Sequence, residues 1–279
     1  DSTTRMTGVC DGHGTFGHKI SNFVVSNLPD LITQHPRYLD NPEKALQESF
    51  IAVSNDLLKH SRKHKMDCTM SGTTCTVILQ REDVIYSAHC GDSRAIIGRV
   101  NEKGCSAFEL TKDHKPTDPK EKHRIHKAGG EIKRLEGDVP YRIFKKGKFF
   151  PGLAMSRSIG DTLAASIGVT CEPEISKYEI TDEDTFLLVC TDGVWEFIEN
   201  RDAVEMIKNF PRQMVRKATE TLTKKAWNLW IMNEVNVVDD ITVLLAFFPK
   251  REKQSSSQEG DRADDTTEKE SGEEGGTGQ

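Results

Sequence analysis

The sequence predicts an α+β domain in which two packed antiparallel β-sheets are flanked by α-helices, a four-layer α-β-β-α sandwich. Three observations predict it. Two stretches of helical periodicity open the chain, a series of short β-rich runs follows, and two more helical stretches lead into a closing apolar strand. No internal repeat is visible.

Taken in order, Ile20, Val24, Leu28, Leu31 and Ile32 recur at helical spacing after a Gly-rich opening. Leu46, Phe50, Val53 and Leu57 do the same, with Asn41-Pro42-Glu43 as the start signal. The runs 76–79, 84–86 and 95–97 are β-rich and separated by polar or Gly-containing turns, so they predict an antiparallel meander. A helix over 119–128 stops at Gly129-Gly130. Residues 141–150 predict a hairpin turning at Lys145-Lys146-Gly147-Lys148. A buried strand covers 186–189, a helix 201–209, and a longer helix aligns Val215, Ala218, Leu222, Ala226 and Leu229 on one stripe. Residues 241–248 are apolar almost throughout, which predicts a central strand.

The 279 residues carry a formal charge of −6 and 35% apolar content. Part of that low apolar share comes from 250–279, a polar, acidic stretch expected to be a disordered tail because it has too little apolar surface to offset the entropy of ordering. The folded domain is therefore expected to span 1–249. No long basic stripe argues for nucleic acid, and no run of about 18 apolar residues argues for a membrane span. The seven cysteines are odd in number and form no C-x-x-C pair, which favours a reducing compartment, cytoplasm or nucleus. The chain opens on Asp1 rather than Met. It is expected to be an internal cut and to act as a monomer.

Three segments join an apolar run to an aspartate. Asp11 follows Gly8-Val9-Cys10, Asp192 follows Leu188-Val189-Cys190-Thr191, and Asp239-Asp240 precedes Ile241-Thr242-Val243. If the third strand runs antiparallel to the others, all three acids meet at one end of the sheet. Clustered carboxylates cannot all stay ionised without cations to compensate them. An all-oxygen donor set selects hard ions such as Mg²⁺ or Mn²⁺. Of Asp239 and Asp240, one is expected to be a ligand and its neighbour a supporting group. The glycines after Asp11 and Asp192 predict tight turns that let backbone carbonyls approach a metal. Asp-Gly turns are common without metals, so it is the threefold recurrence beside buried strands that carries the reading.

The motifs V-C-D-G-H-G (9–14), S-G-T-T (71–74), C-G-D-S-R (90–94), G-L-A-M-S-R-S-I-G-D (152–161), T-D-G-V-W-E (191–196) and D-D-I-T-V (239–243) occur in this order. In them the chain resembles the PPM (PP2C-type) family of metal-dependent protein serine/threonine phosphatases. The resemblance implies hydrolysis of phosphoserine and phosphothreonine in phosphoprotein substrates. It implies two Mg²⁺ or Mn²⁺ ions, with a weaker third in some members. Asp11 would bridge the two metals, the Gly12 carbonyl would join the second, and Asp192 and Asp239 would bind the first. His13 would be the general acid. Asp92 is similar to the residue that recruits the third metal, and Glu196 stands where the family often has Asp. Residues 141–150 correspond to the family's flap, whose lysines would attract a dianionic substrate. Arg157 and Asp161 are assigned to fold support, His123 and His126 to the surface, and Cys10 and Cys190 to the core.

The resemblance also implies strands ahead of V-C-D-G-H-G, bearing a phosphate-binding arginine and a second-metal acid. These are expected to be absent, since Arg5 lies too close to the motif to be that arginine. A catalytically impaired PPM-like regulatory module that binds phosphoproteins is therefore the alternative function, and retention of Asp11, Asp192 and Asp239 speaks against it.

Overall fold

The computed structural model describes residues 4–137, 140–234 and 237–249; the expected tail over 250–279 lies outside them. In chain order the elements begin with β1 (Thr4–Val9), β2 (Gly12–His13), α1 (Gly17–Thr33), α2 (Pro42–His64), β3 (Gly72–Thr73), β4 (Cys75–Arg81) and β5 (Val84–Cys90). Next come β6 (Arg94–Asn101), β7 (Gly104–Glu109), α3 (Pro119–Lys127), β8 (Gly130–Lys133), β9 (Arg142–Lys145), β10 (Pro151–Leu153), β11 (Ile159–Gly160) and α4 (Thr162–Ala165). The chain closes with β12 (Glu174–Glu179), β13 (Asp184–Cys190), α5 (Asp192–Trp195), α6 (Asn200–Ile207), α7 (Val215–Asn233) and β14 (Val243–Phe247).

Two four-stranded antiparallel sheets, ordered β1-β4-β5-β12 and β14-β13-β6-β7, form the inner layers. Val9, Ile78 and Ile85 of the first sheet interdigitate with Ala95, Ile97, Leu187 and Val189 of the second. On the outside of the first sheet, Ile20, Val24 and Leu28 of α1 and Phe50, Val53 and Leu57 of α2 pack with Val77 and Ala88. On the outside of the second, Val204, Ile207, Leu222 and Ala226 pack with Ile96, Phe186 and Leu188. The predicted four layers are thus present, and period-2 alternation sends successive side chains of one strand to different cores. A smaller sheet, β10-β9-β8, sits beside α3 and α4 over Ile125, Ile143 and Ala164. No helix among the described residues is long and apolar enough to cross a membrane.

The helix signals act as expected. The Asn41 side chain caps α2 by accepting from Lys44 N–H at 2.9 Å, with Pro42 at the first turn. Asp118 does the same for α3.

Three expectations are corrected. The runs 76–79, 84–86 and 95–97 are not one meander: β4 and β5 pair in one sheet, β6 and β7 in the other. The switch occurs at Gly91, whose φ of +110° lets the chain turn a corner between sheets. The closing strand is not central, because β14 lies at an edge of the order β14-β13-β6-β7. It is apolar throughout because both of its faces are covered: Leu244 and Ala246 face the other sheet, Val243, Leu245 and Phe247 the helices. Nor do the three acids share one sheet. Asp11 follows β1 of the first sheet, while Asp192 and Asp239 flank β13 and β14 of the second.

Candidate metal centre

Asp11 emerges from β1 at the end of the sandwich, and the S-G-T-T motif fixes it there. Thr74 N–H donates to the Asp11 carbonyl at 2.8 Å, and Asp11 N–H donates back to Thr74 Oγ1 at 3.0 Å. The Thr73 hydroxyl donates to the same carbonyl at 2.9 Å. Thr74 Oγ1 also shares a hydrogen bond with Ser93 Oγ at 2.7 Å, which couples the Asp11 turn to the corner that carries Asp92. The glycines after Asp11 and Asp192 are required for close approach. A Cβ at Gly12 would collide with the Gly17 carbonyl, and one at Gly193 with the Asp240 carbonyl oxygen. The glycines therefore let segments touch, whereas the sequence suggested tight turns.

Antiparallel pairing of β13 with β14 brings Asp239 back beside Asp192. Thr191 Oγ1 donates to the Asp240 carbonyl at 2.9 Å and accepts from Thr242 N–H at 3.0 Å, holding the two strand ends together. Asp240 N–H donates to Asp239 Oδ1 at 2.8 Å. Asp239 lines the central cavity and Asp240 a neighbouring cleft, which separates ligand candidate from supporting residue. Glu196 N–H donates to the Asp192 carbonyl at 2.9 Å, so α5 presents both acids on one side.

One cavity of about 560 Å³ collects every residue singled out for chemistry: Asp11, Gly12, His13, Asp92, Asp192, Glu196 and Asp239. Burial, the largest influence, pushes the Asp11 carboxyl up to about 6 and that of Asp192 up to about 9, and the neighbouring acids add repulsion. The interaction with Asp192 draws Asp11 the other way without cancelling its rise. Asp239 is raised too, mainly by burial. Asp92 Oδ1 is buried without a hydrogen-bond partner. No three acidic, histidine or cysteine side chains among the described residues already stand in ligating geometry. What the residues provide is proximity, an all-oxygen donor set and an excess of negative charge, and these fit a hard divalent cation.

His13, on β2, is held by a second polar arrangement. Its Nε2 lies 2.6 Å from Asp161 Oδ2, which also accepts from the Ser158 hydroxyl at 2.6 Å. Burial lowers the affinity of His13 for a proton, but the Asp161 hydrogen bond and charge outweigh it, and the net shift is upward. His13 Nδ1 has no partner.

The profile of the family "Protein phosphatase 2C" matches residues 1–230. The chain belongs to that family. Among curated relatives, "Probable protein phosphatase 2C 34" of Arabidopsis thaliana is 34% identical, over 86% of this chain and 71% of its own length. "Probable protein phosphatase 2C 35" of the same plant is 31% identical, over 87% and 73%. Among solved structures, a serine-threonine phosphatase 2C from Toxoplasma gondii superposes with a TM-score of 0.75 at 22% identity, covering 89% of this chain and 86% of that one. That likeness is one of fold. Family membership makes the chain a protein serine/threonine phosphatase by class.

Two residues of this phosphatase have a closer relation to the site than the sequence indicated. Asp161, assigned to fold support, lines the cavity and orients His13. It is 2% exposed with φ +42°, a left-handed conformation that aspartate tolerates better than most residues and that clusters at functional sites. Lys115 was not singled out at all, yet its Nζ lies in the cavity 2.8 Å from Asp92 Oδ2. The remaining assignments agree with the structure. Arg157 is engaged by Glu121 at 2.8 Å, His123 and His126 are exposed, and Cys190 is buried. Cys10 is half-buried against the α1 and α2 core. In the flap, Arg142 reaches the cavity, while Lys145, Lys146, Lys148 and Phe149 are exposed. The second arm of the flap pairs over Pro151–Leu153 rather than ending at 150.

Proposed function

We propose that this phosphatase hydrolyses phosphoserine and phosphothreonine in proteins with two Mg²⁺ or Mn²⁺ ions held by Asp11, the Gly12 carbonyl, Asp192 and Asp239. The observation that carries this reading is the shared cavity in which burial raises the carboxyls of both Asp11 and Asp192 and the neighbouring acids add repulsion. Such a cluster is costly when ionised alone and favourable around divalent cations. When bound, the ions make water nucleophilic near neutral pH and offset charge on the phosphoryl oxygens.

The chain's own residues do the rest. Asp11, clamped through its backbone by Thr73 and Thr74, sets the position of the ion pair. Asp161 fixes His13 by its Nε2 at the wall of the cavity, where the imidazole can pass a proton to the departing Ser or Thr alkoxide. The exposed flap lysines bias the approach of a dianionic phosphoprotein.

The test is Mn²⁺-dependent release of phosphate from a phosphothreonine peptide by the chain and by its Asp192→Ala variant. Release that disappears in the variant and on chelation supports the proposal. Turnover that persists in either would overturn it. Phosphopeptide binding without turnover by the folded chain would favour the regulatory-module alternative.

A further inference from the structure

We propose that Cys10 and Cys75 are a thiol pair that a hydroperoxide closes into a disulfide, and that the closed pair slows turnover by disturbing the backbone clamp on Asp11. The crosslink itself is independent of the metal centre, and only its effect on rate rests on the reading above. All seven cysteines are free thiols. Three of them, Cys10, Cys75 and Cys90, stand in a row across the adjacent strands β1, β4 and β5. The row lies at the strand ends that meet Asp11, on the face covered by α1 and α2.

The register sets the pair. β1 and β4 match Val9 with Thr76, and the same register continued sets Cys10 opposite Cys75 and then Asp11 opposite Thr74. Asp11 and Thr74 are the residues that exchange hydrogen bonds, at 2.8 and 3.0 Å. Cys10 and Cys75 are therefore the non-hydrogen-bonded kind of antiparallel pair, with Cα atoms about 4.5 Å apart and side chains at their closest. A disulfide spans Cα separations of about 4.4–6.8 Å, so the pair is within reach. The backbone groups of Cys75 point instead to β5, which makes Cys75 and Cys90 a hydrogen-bonded pair with side chains farther apart. The Cys75 and Cys10 thiols already share a hydrogen bond, and this bond, with burial, pushes the Cys75 thiol well above its ordinary range.

Access falls to Cys10. It follows the edge strand β1 and is half-buried, whereas Cys75 and Cys90 are fully enclosed. Cys10 lines a cleft of about 400 Å³ and, together with Cys75, an apolar pocket of about 160 Å³ between β1 and α1. In the first step Cys10 Sγ attacks the peroxide. An S–O bond forms, the O–O bond breaks, water or an alcohol leaves, and the sulfur becomes a sulfenic acid. In the second step Cys75 Sγ attacks that sulfur. The S–S bond forms, the S–O bond breaks, and water leaves with the Cys75 proton. The two thiols together lose two electrons, and one peroxide is reduced. Because the crosslink draws together the residues that adjoin Asp11 and Thr74, it reaches the clamp.

The test treats the full chain with hydrogen peroxide in chelator, desalts it, and maps its cysteine peptides by mass spectrometry without reduction. A Cys10–Cys75 disulfide is expected, reversed by dithiothreitol, retained in Cys90→Ala and absent from Cys10→Ser and Cys75→Ala. Mn²⁺-dependent release of phosphate from a phosphothreonine peptide is then expected to fall by about 10- to 100-fold, the loss that a displacement of up to about 1 Å brings. The rate should recover with dithiothreitol, and peroxide should leave Cys10→Ser unchanged. In a chain whose thermal melt shows it folded, a Cys75–Cys90 disulfide, or Cys10 driven to sulfinic acid with Cys75 still free, would overturn the pair. A crosslinked chain with undiminished turnover would overturn the effect on rate. The disulfide map stands on the peptides alone, so an inactive reduced chain counts against the metal centre and not against the pair.

Discussion

At the scale of the residue, the arrangement around His13 separates a proton donor from the group that aims it. Asp161 accepts from His13 Nε2 and from Ser158, and its own backbone N–H is tied to the Ser71 carbonyl at 3.0 Å. A general acid contributes in proportion to how poor the leaving group is, typically about 10² to 10⁴ in rate. His13→Ala is therefore expected to slow hydrolysis of a phosphothreonine peptide by roughly that range while largely sparing p-nitrophenyl phosphate, whose leaving group needs no proton. Asp161→Asn is expected to cut the peptide rate less, and the double variant should be no slower than His13→Ala alone, since the two act as one unit. Equal losses on both substrates would show His13 to serve binding instead. Asp11, Asp192 and Asp239 were legible in the sequence because each abuts an apolar run. Asp161 and Lys115 were not, since their partners lie 148 and 23 residues away and no local pattern announces such contacts.

Among the elements, the corner between β5 and β6 determines where Asp92 stands. Gly91 adopts φ +110°, and a Cβ there would press on the Thr74 side chain at 2.6 Å. That threonine is the one that binds the Asp11 backbone. Gly91→Ala is expected to cost about 1–3 kcal/mol of stability from strain at a left-handed position. Because the displaced Thr74 also clamps Asp11, the loss of Mn²⁺-dependent activity should exceed what the fraction unfolded explains. Urea unfolding gives the first quantity and single-turnover rates on the folded fraction the second. An active variant with wild-type stability would show the corner to be tolerant. The helices and strands were legible from periodicity, but the corner was not, because a three-residue Gly-Asp-Ser segment reads alike as a hairpin turn and as a crossing between sheets. The position of β14 was misread for a related reason: an edge strand covered on both faces has the same composition as a central one.

For the whole molecule, the layered fold followed from the order of helices and strands, while the electrostatic consequence of closing it becomes visible only once two sheets bring their strand-end acids together. That consequence is measurable as stability against pH. Asp11 and Asp192 have an ordinary value of 3.8 and are raised in the folded metal-free chain to about 6 and about 9. Between those limits the folded state binds more protons than the unfolded one, so stability falls as pH rises. Two other buried groups act in the opposite sense at the acid end. Burial and the neighbouring His114 push His89 from 6.5 down to about 4, so its contribution is lost as pH falls through that interval. Glu121, though burial alone would raise it, is held below its ordinary range by Arg124, Arg157 and Ser156, and its contribution is lost at still lower pH. These two are indifferent to metal. The difference between melting profiles recorded with Mg²⁺ and with chelator therefore isolates the site. It is expected to be small near pH 5 and to widen steadily towards pH 9, because the ions compensate the carboxylates as their protons leave. Asp192→Asn should melt higher than wild type in chelator at pH 8, because it removes a carboxyl whose ionisation burial and the neighbouring acids oppose. In that variant the dependence on Mg²⁺ should collapse. Parallel profiles with and without Mg²⁺ across this range would show that the strand-end acids are reconciled by the protein alone, and would remove the electrostatic ground for a metal centre.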